Sequence, residues 1–248
     1  MSELSMPRCY NRESKPHRFC PGCGHGLVLK ALGMAIDELD ISSRMVFACD
    51  IGCSLLAWNF FSVDSLQTHH GRTLPVVVGI KRARPELVTV AYMGDGGGYA
   101  IGLQHLVSTA LRNDPVTVIV VNNTTYAMTG GQMAPTTLEG QHTKTSPGGR
   151  DIEETGAPFK GPESLIGVAP PESYLARGTV ANVIRLKKMI RKGLERQLRG
   201  DFAFIEALST CPTNWRTDAA GTWGFLEHEM GAYYQVGEMA AGREPITP

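Results

Sequence analysis

Short apolar runs alternate along the chain with longer amphipathic stretches. Four runs are rich in β-branched and apolar residues: Met45–Ala48 (MVFA), Leu87–Met93 (LVTVAYM), Val116–Val121 (VTVIVV) and Phe202–Leu208 (FAFIEAL). Runs of this length bounded by turn residues predict buried strands. Helical periodicity covers Gly26–Leu39, Tyr99–Arg112 and Val180–Leu198 between them. Strands alternating with helices predict an α/β fold, a mostly parallel sheet with helices on both faces. In such sheets ligands bind at the carboxyl ends of the strands. Each predicted strand here runs into polar or cysteine-bearing residues: Cys49–Cys53, Gly94–Gly96, Asn122–Asn123 and Ser209–Cys211. That convergence predicts one site.

The helix over 180–198 places Val183, Ile184, Ile190, Leu194 and Leu198 on an apolar stripe, opposite Arg185, Lys187, Lys188, Arg191, Lys192 and Arg196. A solvated amphipathic helix is the favoured reading, with docking of an acidic protein such as a ferredoxin as the alternative. Residues 135–173 are rich in Gly, Pro, Thr and Ser and lack periodicity, as is the arm from about 213 to 248 apart from a helical piece near Phe225–Ala232. Long irregular segments are usually functional or lie against a partner. The economical organisation is one domain over 1–248 with a long loop and a C-terminal arm.

Composition narrows the class. The 248 residues carry 24 basic and 24 acidic side chains, so nothing suggests a nucleic-acid-binding surface. No apolar run is long enough to cross a membrane, and the first residues are too polar for a signal peptide. The chain reads as soluble and cytoplasmic. Its six cysteines are Cys9, Cys20, Cys23, Cys49, Cys53 and Cys211. In a reducing compartment these are metal ligands, catalytic groups or small buried hydrophobes rather than disulfides.

The stretch from Tyr92 to Asn123 carries chemistry. It is not a dinucleotide fingerprint, because Gly94 and Gly96 are followed by Tyr99 rather than a third glycine, and no Gly–Lys–Ser/Thr follows for a P-loop. Glycines at a strand end (Gly94, Gly96, Gly97) let backbone N–H groups approach a diphosphate. Asp95 offers a hard oxygen to Mg²⁺, and the Asn123 amide oxygen adds a second donor without charge. The plain alternative is a tight turn with capping asparagines. Cys20 and Cys23, two residues apart and followed by His25, suit half of a zinc site, a thioredoxin-like redox pair or part of an iron–sulfur site.

The spacing of Gly94–Asp95–Gly96 and Asn122–Asn123 resembles the thiamine-diphosphate signature. The motifs CPGCGHG from Cys20, DIGCS from Asp50, HHGR from His69, NNTTYAMTGGQ from Asn122 and STCPTNW from Ser209 occur in an order that resembles the β subunit of 2-oxoacid:ferredoxin oxidoreductases. The likeness is strongest to the short β subunits of the 2-oxoglutarate and branched-chain enzymes, and little anchors it over 140–205.

This resemblance implies a thiamine-diphosphate-binding fold. It places Mg²⁺ on Asp95, Asn123 and the Thr125 carbonyl, and a four-iron four-sulfur cluster on Cys20, Cys23, Cys53 and Cys211. It sets Ile51, Gly52, Cys53, Ser54, His70, Gly94, Gly96, Gly97, Tyr126, Ala127 and Met128 around the thiamine cofactor. His70 and Arg72 are the implied catalytic pair, suited to a diphosphate or a substrate carboxylate. The alternative for them is a capped helix start with a surface Arg. Cys9 and Cys49 fall outside the pattern, and His25 is expected to cap or hydrogen-bond.

The implied activity is oxidative decarboxylation of a 2-oxoacid to acyl-CoA and CO₂, with electrons passed through the cluster to ferredoxin. 2-Oxoglutarate is favoured, with branched-chain oxoacids or pyruvate as alternatives. A non-oxidative thiamine-dependent decarboxylase or synthase with a structural zinc, or a non-catalytic assembly subunit, is the competing class. The glutamate that activates thiamine has no counterpart here, which implies an α subunit carrying the pyrimidine domain. Further γ and ferredoxin-like δ subunits are implied with it.

Overall fold

A computed structural model describes residues 6–242; the outermost residues of the expected 1–248 domain and of its arm lie outside this range. The predicted strands form as β1 (Met45–Cys49), β3 (Val88–Gly94), β4 (Thr117–Asn122) and β8 (Ala203–Leu208). They join β2 (Asp64–Gln67), β7 (Tyr174–Thr179) and β9 (Gly237–Met239) in one sheet of order β2-β1-β3-β4-β8-β7-β9. All its pairings are parallel except β7 with β9. A separate two-residue ribbon pairs β5 (Thr125–Tyr126) with β6 (Gln132–Met133).

Both faces of the sheet are covered, and alternate residues serve each one. Phe47, Val90, Tyr92, Ile119 and Ile205 pack with helices α1 (His25–Leu39) and α6 (Val183–Leu198). Ala48, Ala91, Met93, Val118 and Phe204 pack with α2 (Thr73–Ala83) and α3 (Leu103–Leu111) on the other side. The expected helix over 99–112 begins instead with a wide π-type turn, Gly97–Ile101, and becomes regular only at Leu103.

The α6 stripe differs from the sequence reading. Its buried face is Leu186, Met189, Ile190, Gly193, Leu194 and Gln197, while Leu198 is exposed. The physical reason is Gly193: a Cβ there would lie 2.5 Å from the Ile205 methyl, so the helix is rotated to bring its glycine onto the sheet. Gln197 is buried because it bonds the Thr117 hydroxyl and Thr89. The basic face is partly compensated, with Lys187 and Arg191 on Glu38 and Lys192 on Glu238.

The segment 135–173 contains two short helices, α4 (Ile152–Thr155) and α5 (Gly161–Leu165). Arg150 organises the rest: its buried guanidinium donates to the carbonyls of Ala134, Pro135, Thr137 and Gly156. The arm holds α7 (Pro212–Trp215), α8 (Ala219–Gly224), a π-type turn at Phe225–Met230 and α9 (Gly231–Tyr233) before β9. No described helix is long and apolar enough to cross a membrane.

The strand order fixes where a ligand fits. From β1 the chain steps outward to β2, then returns to the opposite side of β1 as β3. The carboxyl ends of β1 and β3 therefore diverge, and the crevice between them is the switch point at which α/β sheets bind ligands.

Candidate active site

That crevice holds a pocket. Ile51–Ser54 line it from the end of β1, His70 from the turn after β2, and Gly94, Asp95 and Gly97 from the end of β3. Asn123 and Thr125–Thr129 close it from beyond β4, and His25 comes from the start of α1. Ile51 and Met128 stand at its mouth, 37% and 45% exposed.

Asp95 is buried. One carboxylate oxygen accepts from the Gly96 N–H at 2.8 Å and the other from the Thr136 hydroxyl at 2.5 Å. Burial pushes the carboxyl up to about 7, with Glu206 adding repulsion and the Thr136 and Gly96 bonds pulling the other way. A hard divalent ion is the partner such a carboxylate fits. Asn123 faces the same space, while Asn122 does structural work: its side chain donates to Glu206 and accepts from the Thr124 N–H. The two asparagines thus divide their roles between pocket and core.

The glycines act by omission. A Cβ on Gly97 would lie 1.8 Å from an Asp50 carboxylate oxygen, and one on Gly96 would lie 2.0 Å from the Tyr126 ring. Gly96 is covered by that ring and does not itself line the pocket. Gly52 has φ +103°, which a side chain would strain, and it turns the chain from β1 into the Cys53 loop.

The CPGC loop is seated on the loop after β8. The Gly24 N–H donates to the Thr210 carbonyl, the Thr210 hydroxyl donates to the Gly22 carbonyl, and a Cβ on Gly24 would run into Ser209. Cys20 and Cys23 therefore stand beside Cys211, and Cys53 reaches the group from the pocket side. All four are free thiols, close enough for their charges to interact. Burial pushes Cys23 and Cys53 up to about 12 and raises Cys211, with the neighbouring sulfurs adding to the shift. Such thiols ionise only when a cationic centre takes the proton's place beside the sulfur, so they fit a metal-bearing group. Among the described residues no three His, Cys, Asp or Glu side chains converge as one bare metal ion requires.

Several residues that the sequence did not single out hold this arrangement. Asn214 donates to the Ala127 carbonyl and toward Cys211 Sγ, and the Trp215 indole donates to the Asn123 carbonyl. Helix α7 thus ties the cysteine loop to the pocket loop over 123–127. Tyr234 in the arm donates to the Thr136 carbonyl, behind Asp95. His25 is buried, pairs with the Tyr92 hydroxyl at 2.7 Å and stacks on Phe19; burial lowers it to about 3, so it is neutral. Asp50 is buried with Oδ2 3.3 Å from His70 Nδ1. Arg72 is placed elsewhere: it is exposed, at the start of α2, with its guanidinium on the Ile101 carbonyl.

Comparison with known proteins agrees with this geometry. Residues 50–206 match the family described as "Thiamine pyrophosphate enzyme, C-terminal TPP binding domain". The ketoisovalerate oxidoreductase subunit VorA of Methanothermobacter marburgensis is 42% identical over 222 residues, 88% of this chain and 46% of that protein. The 2-oxoglutarate synthase subunit KorB of Methanocaldococcus jannaschii is 42% identical over 206 residues, 82% of this chain and 73% of that protein. Among solved structures, a 2-oxoglutarate:ferredoxin oxidoreductase from Magnetococcus marinus, with 2-oxoglutarate, coenzyme A and succinyl-CoA bound, superposes with a TM-score of 0.79. It is 26% identical, and the match covers 98% of this chain and 87% of that one. The chain is a thiamine-diphosphate-binding protein and belongs to the family of 2-oxoacid:ferredoxin oxidoreductase β subunits. It spans about half the length of the VorA relatives, 46% and 49%.

Proposed function

We propose that this chain, acting as one thiamine-diphosphate-binding unit, is the β subunit of an enzyme that oxidises a 2-oxoacid to acyl-CoA and CO₂ and passes the electrons to ferredoxin. One observation carries the reading: Cys53 belongs both to the pocket of Asp95 and Asn123 and to the group of four thiols. An electron acceptor held by those thiols would border whatever reacts in the pocket.

In this reading Asp95, the Asn123 amide oxygen and the Thr125 carbonyl would hold Mg²⁺ for the cofactor's diphosphate, Gly94 and Gly97 let the backbone approach it, and Gly96 acts behind them by holding Asp95. Ile51, Ser54, Ala127, Met128 and Tyr126 wall the rest and keep water from the reacting carbon. Thiamine diphosphate supplies the carbanion chemistry when bound. Cys20, Cys23, Cys53 and Cys211 hold a four-iron four-sulfur cluster, which needs four thiolates. His70 contacts the cofactor or substrate from the pocket wall, and Arg72, exposed outside the pocket lining, meets a partner or an incoming carboxylate. An α subunit carrying the pyrimidine domain completes the site, with γ and ferredoxin-like δ subunits beyond it, all in the cytoplasm.

2-Oxoglutarate stands first as substrate, in line with the KorB relatives and the solved structure. The apolar rim of Ile51 and Met128 favours a branched-chain oxoacid as the second reading. A panel of 2-oxoacids, assayed on the assembled complex with coenzyme A and a low-potential electron acceptor, tests both. Reduction that depends on a 2-oxoacid and coenzyme A supports the proposal; decarboxylation without acceptor reduction would overturn it.

A further inference from the structure

Asp50 lies just past the end of β1, and His70 just past the end of β2. These strands are parallel neighbours in which Cys49 pairs with Gln67, so the two chain exits run side by side. Asp50 is fully buried and both carboxylate oxygens are directed. Oδ1 accepts from the Gly71 N–H at 2.7 Å, which pins the turn carrying His70. Oδ2 lies 3.3 Å from His70 Nδ1, and neither of those two buried atoms has another hydrogen-bond partner. Gly97 presses on this pair from the third side: a Cβ there would lie 1.8 Å from Oδ2 and 3.4 Å from His70 Cε1. A buried carboxylate oxygen and a buried ring nitrogen left facing each other are satisfied together when the proton sits between them.

Resting on the proposed thiamine-dependent reaction, we propose that Asp50 is a positioning residue that holds His70 as the Nδ1–H tautomer and turns its Nε2 lone pair into the pocket. Which ring nitrogen carries the proton is set by the bond the other one makes. With Nδ1 committed to Asp50, Nε2 is the nitrogen left for the pocket that His70 lines. There it accepts a hydrogen bond from a hydroxyl or amine of the bound substrate or cofactor. Gly97 keeps the far side of the carboxylate dry, so the bond to His70 is not shared with solvent. The three residues come from three separate strand ends of the same sheet, which holds the imidazole in place.

Asp50→Asn makes a sharp test. The Gly71 N–H demands an oxygen, so the amide nitrogen takes the place of Oδ2 and donates to Nδ1. That drives the imidazole proton to Nε2 and blocks its acceptor role. The fold is expected to survive, because the Gly71 bond is retained. The complex is prepared with this chain ¹⁵N-labelled at histidine, without added cofactor and at a pH where imidazole is neutral, and His70→Gln assigns the resonance. Long-range ¹H–¹⁵N correlation is expected to show Nδ1–H in the native protein and Nε2–H in Asp50→Asn. The same variant, loaded, is expected to lose about 10- to 100-fold in kcat, the range seen when a buried partner of a site histidine is removed. Its dissociation constants for thiamine diphosphate and Mg²⁺ should stay within about threefold. A native His70 carrying its proton on Nε2, or a tautomer indifferent to Asp50→Asn, would overturn the proposal, as would an unchanged kcat. Failure of the native complex to bind thiamine diphosphate would instead sink the functional reading, and the tautomer measurement would still decide the role of Asp50.

Discussion

Asp95 is the residue on which the site turns. Its carboxyl is buried, and burial raises it to about 7 from an ordinary 3.8. Between those values the folded, metal-free chain binds a proton that the unfolded chain has released. Stability of the metal-free chain is therefore expected to fall as pH rises from about 4 to about 7, by up to about 1.4 kcal/mol per pH unit. Urea titrations across that window check it, and a flat or rising profile contradicts it. Asp95→Asn should flatten the profile, since the amide buries no charge, and should leave the metal-free chain at least as stable as the native one. The same variant should lose Mg²⁺-dependent thiamine diphosphate binding altogether in equilibrium dialysis; retained binding would remove Asp95 from the metal site. Gly97→Ala is a second probe at this scale. Its methyl would meet the Asp50 carboxylate and crowd the pocket wall that Gly97 itself lines, so a loss of cofactor affinity of tenfold or more is expected even though only one carbon is added.

At the scale of elements, the strands carry a buried polar row behind the pocket. Arg177 on β7 is fully buried, paired with Glu206 on β8 and gripped by both oxygens of Glu163 on α5, at 2.7 and 2.6 Å. Glu206 also accepts from the Tyr99 hydroxyl and from Asn122. The row ties the loop over 135–173 to the strand end that presents Asn123. Arg177→Met strips Glu206 of its cation and is expected to cost about 3–5 kcal/mol in denaturant unfolding. A loss below about 1 kcal/mol would mean that the pair is not sustaining the sheet.

This row also shows where sequence reading stops. The strands of continuous apolar pattern, β1, β3, β4 and β8, were legible, and so was the cysteine and glycine chemistry at their ends. Strand β7 reads YLARGT, and its arginine and glycine break the apolar run that marks a buried strand; Arg177 is acceptable there only because Glu206 and Glu163 arrive from elsewhere. Strand β2 is a mostly exposed edge and carries no apolar pattern. Helix α2 has a Pro in its first turn and a run of three valines, which weakens the helical signal. Asn214, Trp215, Thr136 and Tyr234 serve the site through contacts between distant segments, and no local spacing announces such contacts. Asp50 stands within the DIGCS motif, but its role depends on the parallel pairing of β1 with β2.

Across the whole molecule, two centres share one wall. The pocket loop over 123–127 and the cysteine loops are joined by α7, through the bonds of Asn214 and Trp215 to the backbone at Ala127 and Asn123. A cofactor pocket built at the switch point of the sheet thus has a thiol cluster fixed against it by the chain's own packing. The central claim is that those thiols hold an iron–sulfur cluster that takes electrons from the pocket. The most direct measurement is the metal content and visible spectrum of the complex purified without oxygen. The account predicts a brown protein with a broad visible shoulder that bleaches on reduction, and about four irons assigned to this chain, lost in Cys53→Ser. A colourless protein carrying zinc in place of iron would contradict it.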